Sequence, residues 1–272
     1  MSDISLSRGI RQNLLSLQRT ADLQAQTQNR LATGRKVNSA LDDPANFFVS
    51  EGLKARASDL SRLLDSMGLG VKTLEAADAG IAGLKKLVET AQGLARQARQ
   101  TADAPTRLSL AAQFDVIRTQ IDQLAGDSAY NGVNLIGATP DNLTVVFNET
   151  NSTSLTITGV ALGTTGLGIA AAANSWAANA DIDAAIADLD AGITKLRSQA
   201  STFGANLTVL KNRQDFTHSM MLALGTGADG LVLADQNEEG ANLLALNTRQ
   251  QLSQTALSLA AQADQAVLRL FG

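Results

Sequence analysis

The chain has 272 residues and a hydrophobic content of 44%, yet only 3% of its residues are aromatic. Alanine and leucine therefore supply most of the apolar surface, which favours long, closely packed helices over a bulky core around a ligand pocket. The formal net charge is −4 without a dense block of Lys and Arg, which argues against nucleic-acid binding. The lack of cysteine excludes disulfides, thiolate metal sites and cysteine nucleophiles.

The N-terminal segment has the spacing of an amphipathic helix from Ile4 to about Thr33. Its stripe follows alternating steps of three and four residues, through Ile10, Leu14, Leu17, Ala21, Gln24, Gln28 and Leu31. Two glutamines weaken this stripe as a stand-alone coiled coil. We therefore predict a helix that needs a partner.

A basic loop after Gly34 leads into a second predicted helix. Asp42 or Asp43 can act as its N-cap, with Pro44 at the first helical position, where the missing N–H costs nothing. The helix is predicted to run to about Gln100, and its glycines are tolerable where two helices approach closely. A third helix is predicted from Pro105 to about Asp127.

The period changes to two in residues 142–159, where two Thr/Val/Ile-rich runs flank a polar turn. This pattern predicts a β-hairpin. One face is predicted to pack on helices and carries Val145, Phe147, Leu155 and Ile157, while the other carries Thr144, Val146, Thr156 and Thr158. Residues 159–176 show no clear period and are predicted to form a loop.

The C-terminal part is predicted to be helical from Asp181 to about Leu224, with "GTGADG" breaking it before a last helix of roughly 35 residues. A four–three alternation marks the last helix, through Leu252, Ala256, Leu259, Ala263, Ala266 and Leu270. Since both ends of the chain are amphipathic helices that need partners, we predict that they pair with each other.

The residues predict no catalytic, cofactor or metal site. His218 is the only histidine, so neither a His-based triad nor a multi-His metal site can form. Asp42-Asp43 lacks the further oxygen ligands of a calcium loop, so capping is the favoured interpretation. Glu238-Glu239 is predicted to be a solvated helix start. No apolar run reaches the ~20 residues of a membrane span, and the N-terminus lacks a signal-peptide pattern, which on the residues alone predicts a soluble, cytosolic protein.

The segment "RLATGRKVNSALDDPA" resembles the bacterial flagellin motif Arg-Leu-Ser-Ser-Gly-x-x-Ile-Asn-Ser-Ala-x-Asp-Asp-Ala-Ala. Four further motifs resemble flagellins in the same order along the chain. They lie around Glu75, in the turn Ser128–Gly132, in the helix "LRSQASTFGANLTVLKNRQDF", and in the ending "LAAQADQAVLRLF". The resemblance covers nearly all of the chain.

The resemblance implies a mainly α fold, in which paired N- and C-terminal segments form a long antiparallel helical bundle or coiled coil with a small β-hairpin insert. Residues 1–42 and 229–272 are expected to form an inner assembly domain, and residues 43–140 and 179–228 an outer helical domain. Residues 141–178 would form the hairpin and a short surface segment, so that the filament is thin-walled. The Gly34 loop resembles the segment that joins the two domains.

The implied function is that of a non-enzymatic subunit that self-assembles into the flagellar filament for swimming. The residues expected to support assembly are Leu14, Leu17, Arg30, Leu31, Gly34, Asn38, Asp42, Asp43, Glu75, Asn131, Gly132, Arg197, Gly204, Ala205, Arg213, Leu252, Leu259 and Leu270.

The resemblance also implies partners and a location. The chain would form a homopolymer outside the cell, after unfolded export without a cleaved leader, and would meet the export apparatus, an export chaperone, the filament cap and hook-associated proteins. No cofactor, nucleic acid or membrane is expected to bind. The alternatives are a hook–filament junction protein, a flagellin-like surface-binding protein, and a flagellin with an inserted enzyme.

Overall fold

The computed structural model describes residues 8–271, although the side chains of Arg8, Asp264 and residues 267–271 lie outside the description. The predicted start of the first helix, from Ile4 to residue 7, therefore lies outside the described residues. The described elements are α1 (Arg8–Thr33), α2 (Pro44–Gln100), α3 (Ala104–Asp127), β1 (Leu143–Val146), β2 (Ser154–Ile157), α4 (Thr164–Leu167), a 3-10 turn (Ala173–Trp176), α5 (Asn179–Val232) and α6 (Gln236–Phe271). The predicted mainly α fold with one hairpin is confirmed.

The chain divides into two compact units. Residues 1–55 and 223–272 form one, here named the terminal unit, and residues 56–222 form the other, here named the central unit. Helices α2 and α5 contribute residues to both units.

The central unit is built on α2 and α5, which run antiparallel. Arg99 Nε donates to Asp183 Oδ1 at 2.8 Å, and the Gln92 amide donates to Asp190. Its largest fully buried side chains come from α2, α3, α5, the hairpin and the segments on either side of the hairpin, and include Met67, Leu74, Leu84, Phe114, Ile121, Trp176 and Phe203. Burial of this apolar surface is the main stabilising contribution.

Some of the glycines in α2 lie where other elements approach the helix closely, and for these the prediction is confirmed. A Cβ at Gly70 would lie 2.7 Å from Val145 Cγ2 of the hairpin, and one at Gly83 would lie 2.9 Å from Leu124 Cδ2 of α3. Gly52 and Gly93 have no such neighbour, so the close-approach explanation does not apply to them.

The hairpin has the predicted register. Val145 pairs with Leu155 and Thr144 with Thr156, so the two predicted faces are separated as expected. Val145 and Ile157 are buried, whereas Thr144 and Thr156 are exposed and their hydroxyls lie 3.2 Å apart. Phe147 is half-buried, and Arg213 Cζ lies 5.2 Å from the centre of its ring.

Phe147→Ala is expected to lower the unfolding free energy of the chain by about 2–3 kcal/mol, below the ~3–5 kcal/mol of a fully buried ring because Phe147 is half-buried. Thr156→Ala, on the open face, serves as the control and is expected to change it by less than about 0.5 kcal/mol. Urea unfolding of the monomer measures both values. Equal losses would show that the packing face of the hairpin is misassigned.

The segment after the hairpin is more ordered than predicted. The loop prediction for residues 159–176 is wrong, because the segment contains α4 and the 3-10 turn and buries Leu167 and Trp176. Asp122 Oδ1 accepts from the Thr164 N–H at 2.7 Å and thereby fixes the start of α4. These contacts come from residues more than 40 positions away, which a local period does not detect.

The predicted helix break at "GTGADG" is also wrong. Helix α5 continues through these residues to Val232, although each exposed glycine costs up to ~1 kcal/mol relative to alanine. Burial of Ala228 and Val232, and donation by Ser50 Oγ to the Ala228 carbonyl at 3.1 Å, offset that cost. The break follows Val232, and Asp235 then caps α6 by accepting from the Asn237 N–H at 2.9 Å.

Candidate assembly surfaces

Helices α1 and α6 pair antiparallel, which confirms the predicted pairing of the two ends of the chain. Arg30 Nη1 lies 3.0 Å from Glu239 Oε1, and Gln24 Nε2 donates to Asn247 Oδ1 at 2.6 Å. Glu239 is only 7% exposed, so the prediction of a solvated Glu238-Glu239 helix start is wrong for Glu239. Its burial is offset by the ion pair with Arg30, a residue 209 positions away.

The seam between these helices mixes apolar and polar side chains. The buried or half-buried positions on α1 are Ile10, Asn13, Leu17, Thr20, Gln24, Thr27, Arg30 and Leu31, and those on α6 are Glu239, Gly240, Leu243, Leu246, Asn247, Gln250, Ser253, Leu257, Ala260 and Ala261. The prediction is therefore correct at every seventh residue of α1 but wrong at Leu14, Ala21 and Gln28, which are exposed. The predicted stripe and the observed seam of α1 coincide at every seventh residue, and the spacing of apolar residues alone does not distinguish them.

A second set of apolar residues on both helices forms stripes that face outward. Leu14 is 42% exposed on α1, and Leu252 and Leu259 are 66% and 62% exposed on α6. The prediction that the Leu252–Leu259 stripe packs on the N-terminal helix is therefore wrong. Leu270 lies in α6, but its side chain lies outside the described residues. Exposed apolar stripes of this extent mark surfaces for interaction with another molecule.

The loop from Gly34 to Asp43 is held by backbone contacts with the end of α5. Gly34 has a φ of +68°, which favours glycine, and its carbonyl accepts from the Ala234 N–H at 3.0 Å. The Lys36 N–H donates to the Val232 carbonyl at 2.8 Å. These bonds lie within the terminal unit and give the loop a defined conformation.

Asp42 and Asp43 have different roles, which decides between the two predicted caps. Asp42 Oδ2 accepts from the N–H groups of Asn38 and Ser39, each at 2.9 Å, and thereby holds the loop. Asp43 Oδ1 accepts from the Asn46 N–H at 3.0 Å and caps α2. These backbone donors lower the pKa of both carboxyl groups below the ordinary 3.8.

Acid is expected to weaken this loop, because protonation removes the charged form that the donors favour. A lowered folded pKa means that the contribution is complete above the ordinary value of 3.8 and is lost as pH falls below it. The double variant Asp42→Asn, Asp43→Asn should lose part of its stability at pH 7 and show a flatter acid dependence than the wild type. Thermal unfolding between pH 2 and 7 measures both; parallel acid profiles would contradict this role.

Two of the predicted assembly residues of the central unit lie in a tight turn. Asn131 and Gly132 have φ values of 49° and 80° and connect Tyr130 to Val133, whose backbones exchange two hydrogen bonds of 2.9 and 3.0 Å. Glu75 Oε2 lies 2.8 Å from Lys72 Nζ, and this pair lowers the pKa of Glu75 and raises that of Lys72. Both features are explained by contacts within the chain.

The four predicted assembly residues of α5 are exposed: Arg197, Gly204, Ala205 and Arg213. Arg213 contacts Phe147 of its own chain, whereas Arg197 lies at the edge of a groove between α2 and α5. A Cβ at Gly204 would meet no atom within 4 Å, so nothing in the described part of the chain requires glycine there.

The described residues contain no group of three or more His, Cys, Asp or Glu side chains placed to hold a metal ion. Within the same residues, none of the helices combines the length and apolar character that a membrane span needs.

Comparison with known proteins identifies the family. The model of the bacterial flagellin N-terminal helical region matches residues 7–140, and that of the bacterial flagellin C-terminal helical region matches residues 181–271. The chain belongs to the flagellin family. The predicted resemblance is thus confirmed, and so is the function of a structural subunit that self-assembles into the bacterial flagellar filament; the hook–filament junction alternative is not favoured.

Flagellin relatives match along the whole chain. Flagellin FljN of Caulobacter vibrioides is 32% identical over 272 residues, which cover 100% of this chain and 99% of that protein. Flagellin FljM of the same organism is 29% identical with the same coverage. A flagellin of Brucella melitensis is 25% identical over 255 residues, with 90% of each protein covered.

Proposed function

We propose that this flagellin polymerises through the outward apolar stripes of its terminal unit, which neighbouring copies cover. One observation carries the proposal: Leu14, Leu252 and Leu259 lie on exposed faces of α1 and α6, outside the seam that pairs the two helices. A helix pair that buried all of its leucines internally would have no such surface.

The energetics support assembly as the event that stabilises these helices. Burial of one exposed leucine contributes about 1.5–3 kcal/mol, so a few per copy suffice for a strong contact. The hydrogen bonds of the α1–α6 seam contribute less, because they largely replace hydrogen bonds to water. The terminal helices are therefore expected to gain most of their stability from neighbouring copies.

The roles that we propose for the parts of the chain follow the flagellin resemblance. Residues 1–42 and 229–272 serve assembly, residues 43–140 and 179–228 form the outer helical part, and residues 141–178 form the small surface part of a thin-walled filament. The Gly34–Asp43 loop, Glu75, the Asn131-Gly132 turn and the exposed side of α5 are further proposed contact regions. Their exposure or defined conformation supports this role.

We further propose a purely structural role, without enzymatic activity, for a chain that works outside the cell. Membership of the flagellin family supports export without a cleaved leader. It also supports contacts with the export apparatus, an export chaperone, the filament cap and hook-associated proteins. None of these contacts requires a cofactor.

Elongation of filament seeds tests the proposed function. Purified chain is added to short filaments sheared from cells that produce it, and growth is measured by electron microscopy. A filament subunit extends the seeds continuously in proportion to its concentration. An adaptor of the hook–filament junction adds a terminal layer only, and that outcome would contradict the proposal.

A further inference from the structure

Leu41 is 96% exposed, and it stands in a loop of defined conformation. The Asp42 carboxylate holds the backbone on its N-terminal side, and the Leu41 N–H donates to Ser39 Oγ at 3.2 Å. A leucine held in this way contributes nothing to its own core. It has the properties of an interface anchor, because its position is already ordered and its side chain is available for burial.

The central unit carries a groove suited to such an anchor. The groove lies between α2 and α5, encloses about 280 Å³, and is lined mainly by the apolar side chains of Ile81, Ala82, Leu196 and Ala200. An apolar cavity of roughly 150 Å³ can hold a benzene ring, so the groove has room for a leucine side chain.

The charges beside the two features are complementary. The exposed Asp42 follows Leu41, and Arg197 lies at the edge of the groove. Within the described residues Arg197 has no ion-pair or hydrogen-bond partner. Lys85 and Asp78 also border the groove. An apolar side chain next to a carboxylate therefore fits an apolar groove next to a free guanidinium.

We propose that Leu41 of one copy inserts into the α2–α5 groove of a second copy, with Asp42 facing Arg197 there. This inference rests on the proposed function, because it assigns one contact of the polymer. Leu41 and the groove are different surfaces, so the contact is heterologous. A heterologous contact that does not close into a ring generates an open helical filament.

Leu41→Ser tests the anchor. Because Leu41 is exposed in the single chain, monomer unfolding is expected to be unchanged, while the critical concentration for seed elongation rises roughly ten- to hundredfold. Leu108→Ser is the matched control, since Leu108 is 56% exposed on α3 outside this groove, and its effect should be much smaller. Equal effects of the two substitutions would overturn the proposal.

Disulfide cross-linking tests the proposed pairing directly. Because the chain has no natural cysteine, only the introduced cysteines can form disulfides. Chains carrying Leu41→Cys are assembled in an equal mixture with chains carrying Ala82→Cys under reducing conditions, and the filaments are then exposed to a mild oxidant. Dimers that join position 41 to position 82, identified by mass spectrometry of linked peptides, are expected only after assembly. Ala112→Cys replaces Ala82→Cys as the control, because Ala112 is exposed on α3 outside the groove.

The two experiments separate this inference from the proposed function. Filaments that form but yield no more 41–82 than 41–112 dimers would overturn the contact and leave the filament role intact. Failure of the wild-type chain to elongate seeds would instead contradict the proposed function itself.

Discussion

Removal of residues 250–272 is expected to abolish elongation of filament seeds while the central unit stays folded. The deletion takes away the C-terminal half of α6, including the exposed Leu252 and Leu259, and leaves the opposing part of α1 unpaired. The central unit loses no residue, since it spans residues 56–222. Far-UV circular dichroism and electron microscopy measure the retained fold and the lost filaments.

A double substitution distinguishes the contribution of the exposed leucines to assembly from the contribution of the length of α6. Leu252→Ser with Leu259→Ser keeps α6 whole and should raise the critical concentration at least about a hundredfold, since two leucines lose their burial. Gln251→Ser with Gln254→Ser changes two exposed polar residues of the same helix and should have little effect. Normal filaments from the truncation, or from the double leucine variant, would contradict the assembly role of this stripe.

Trp176→Ala is expected to lower the unfolding free energy of the chain by about 3–5 kcal/mol, the typical range for loss of a large buried aromatic side chain. Trp176 is 0% exposed, and its ring centre lies 4.9 Å from that of Phe114 on α3. Its removal would leave a cavity and release the 3-10 turn from α3. Chemical denaturation of the monomer, followed by circular dichroism, measures the change.

Trp176→Phe is the matched control for this effect. Trp176 Nε1 is buried and has no hydrogen-bond partner among the described residues. Burial of this unpaired N–H lowers the unfolding free energy of the chain. Phenylalanine keeps most of the ring and omits that group, so the loss should stay below about 1.5 kcal/mol. Equal losses for the two substitutions would contradict a packing role for this side chain.

Local patterns predicted most of the elements because their determinants are local. The start of α2 follows from an aspartate before a proline at the first helical position, and the hairpin register follows from a period of two around a polar turn. The continuation of α5 through three glycines was not predictable in this way. It depends on burial of Ala228 and Val232, which is set by distant parts of the chain.

The candidate site was predicted less completely than the fold. The flagellin motif identified Asp42 and Asp43, and the structure assigns each its own backbone donors. The face of α1 was misassigned at every second predicted position and that of α6 at Leu252 and Leu259, because an apolar stripe predicts burial but not the molecule that provides it. Leu41 was missed altogether, since one leucine in a loop has no period; only its exposure reveals it.

Electron cryomicroscopy of filaments assembled from the intact chain shows which surfaces neighbouring copies bury against one another. We expect that Leu14, Leu252 and Leu259, exposed in the single chain, are packed against neighbouring copies in the filament. We also expect the α1–α6 seam, with its Arg30–Glu239 pair, to persist within each copy. A filament in which these leucines face solvent, or in which they pair α1 with α6 of the same copy, would contradict the proposed assembly through these stripes.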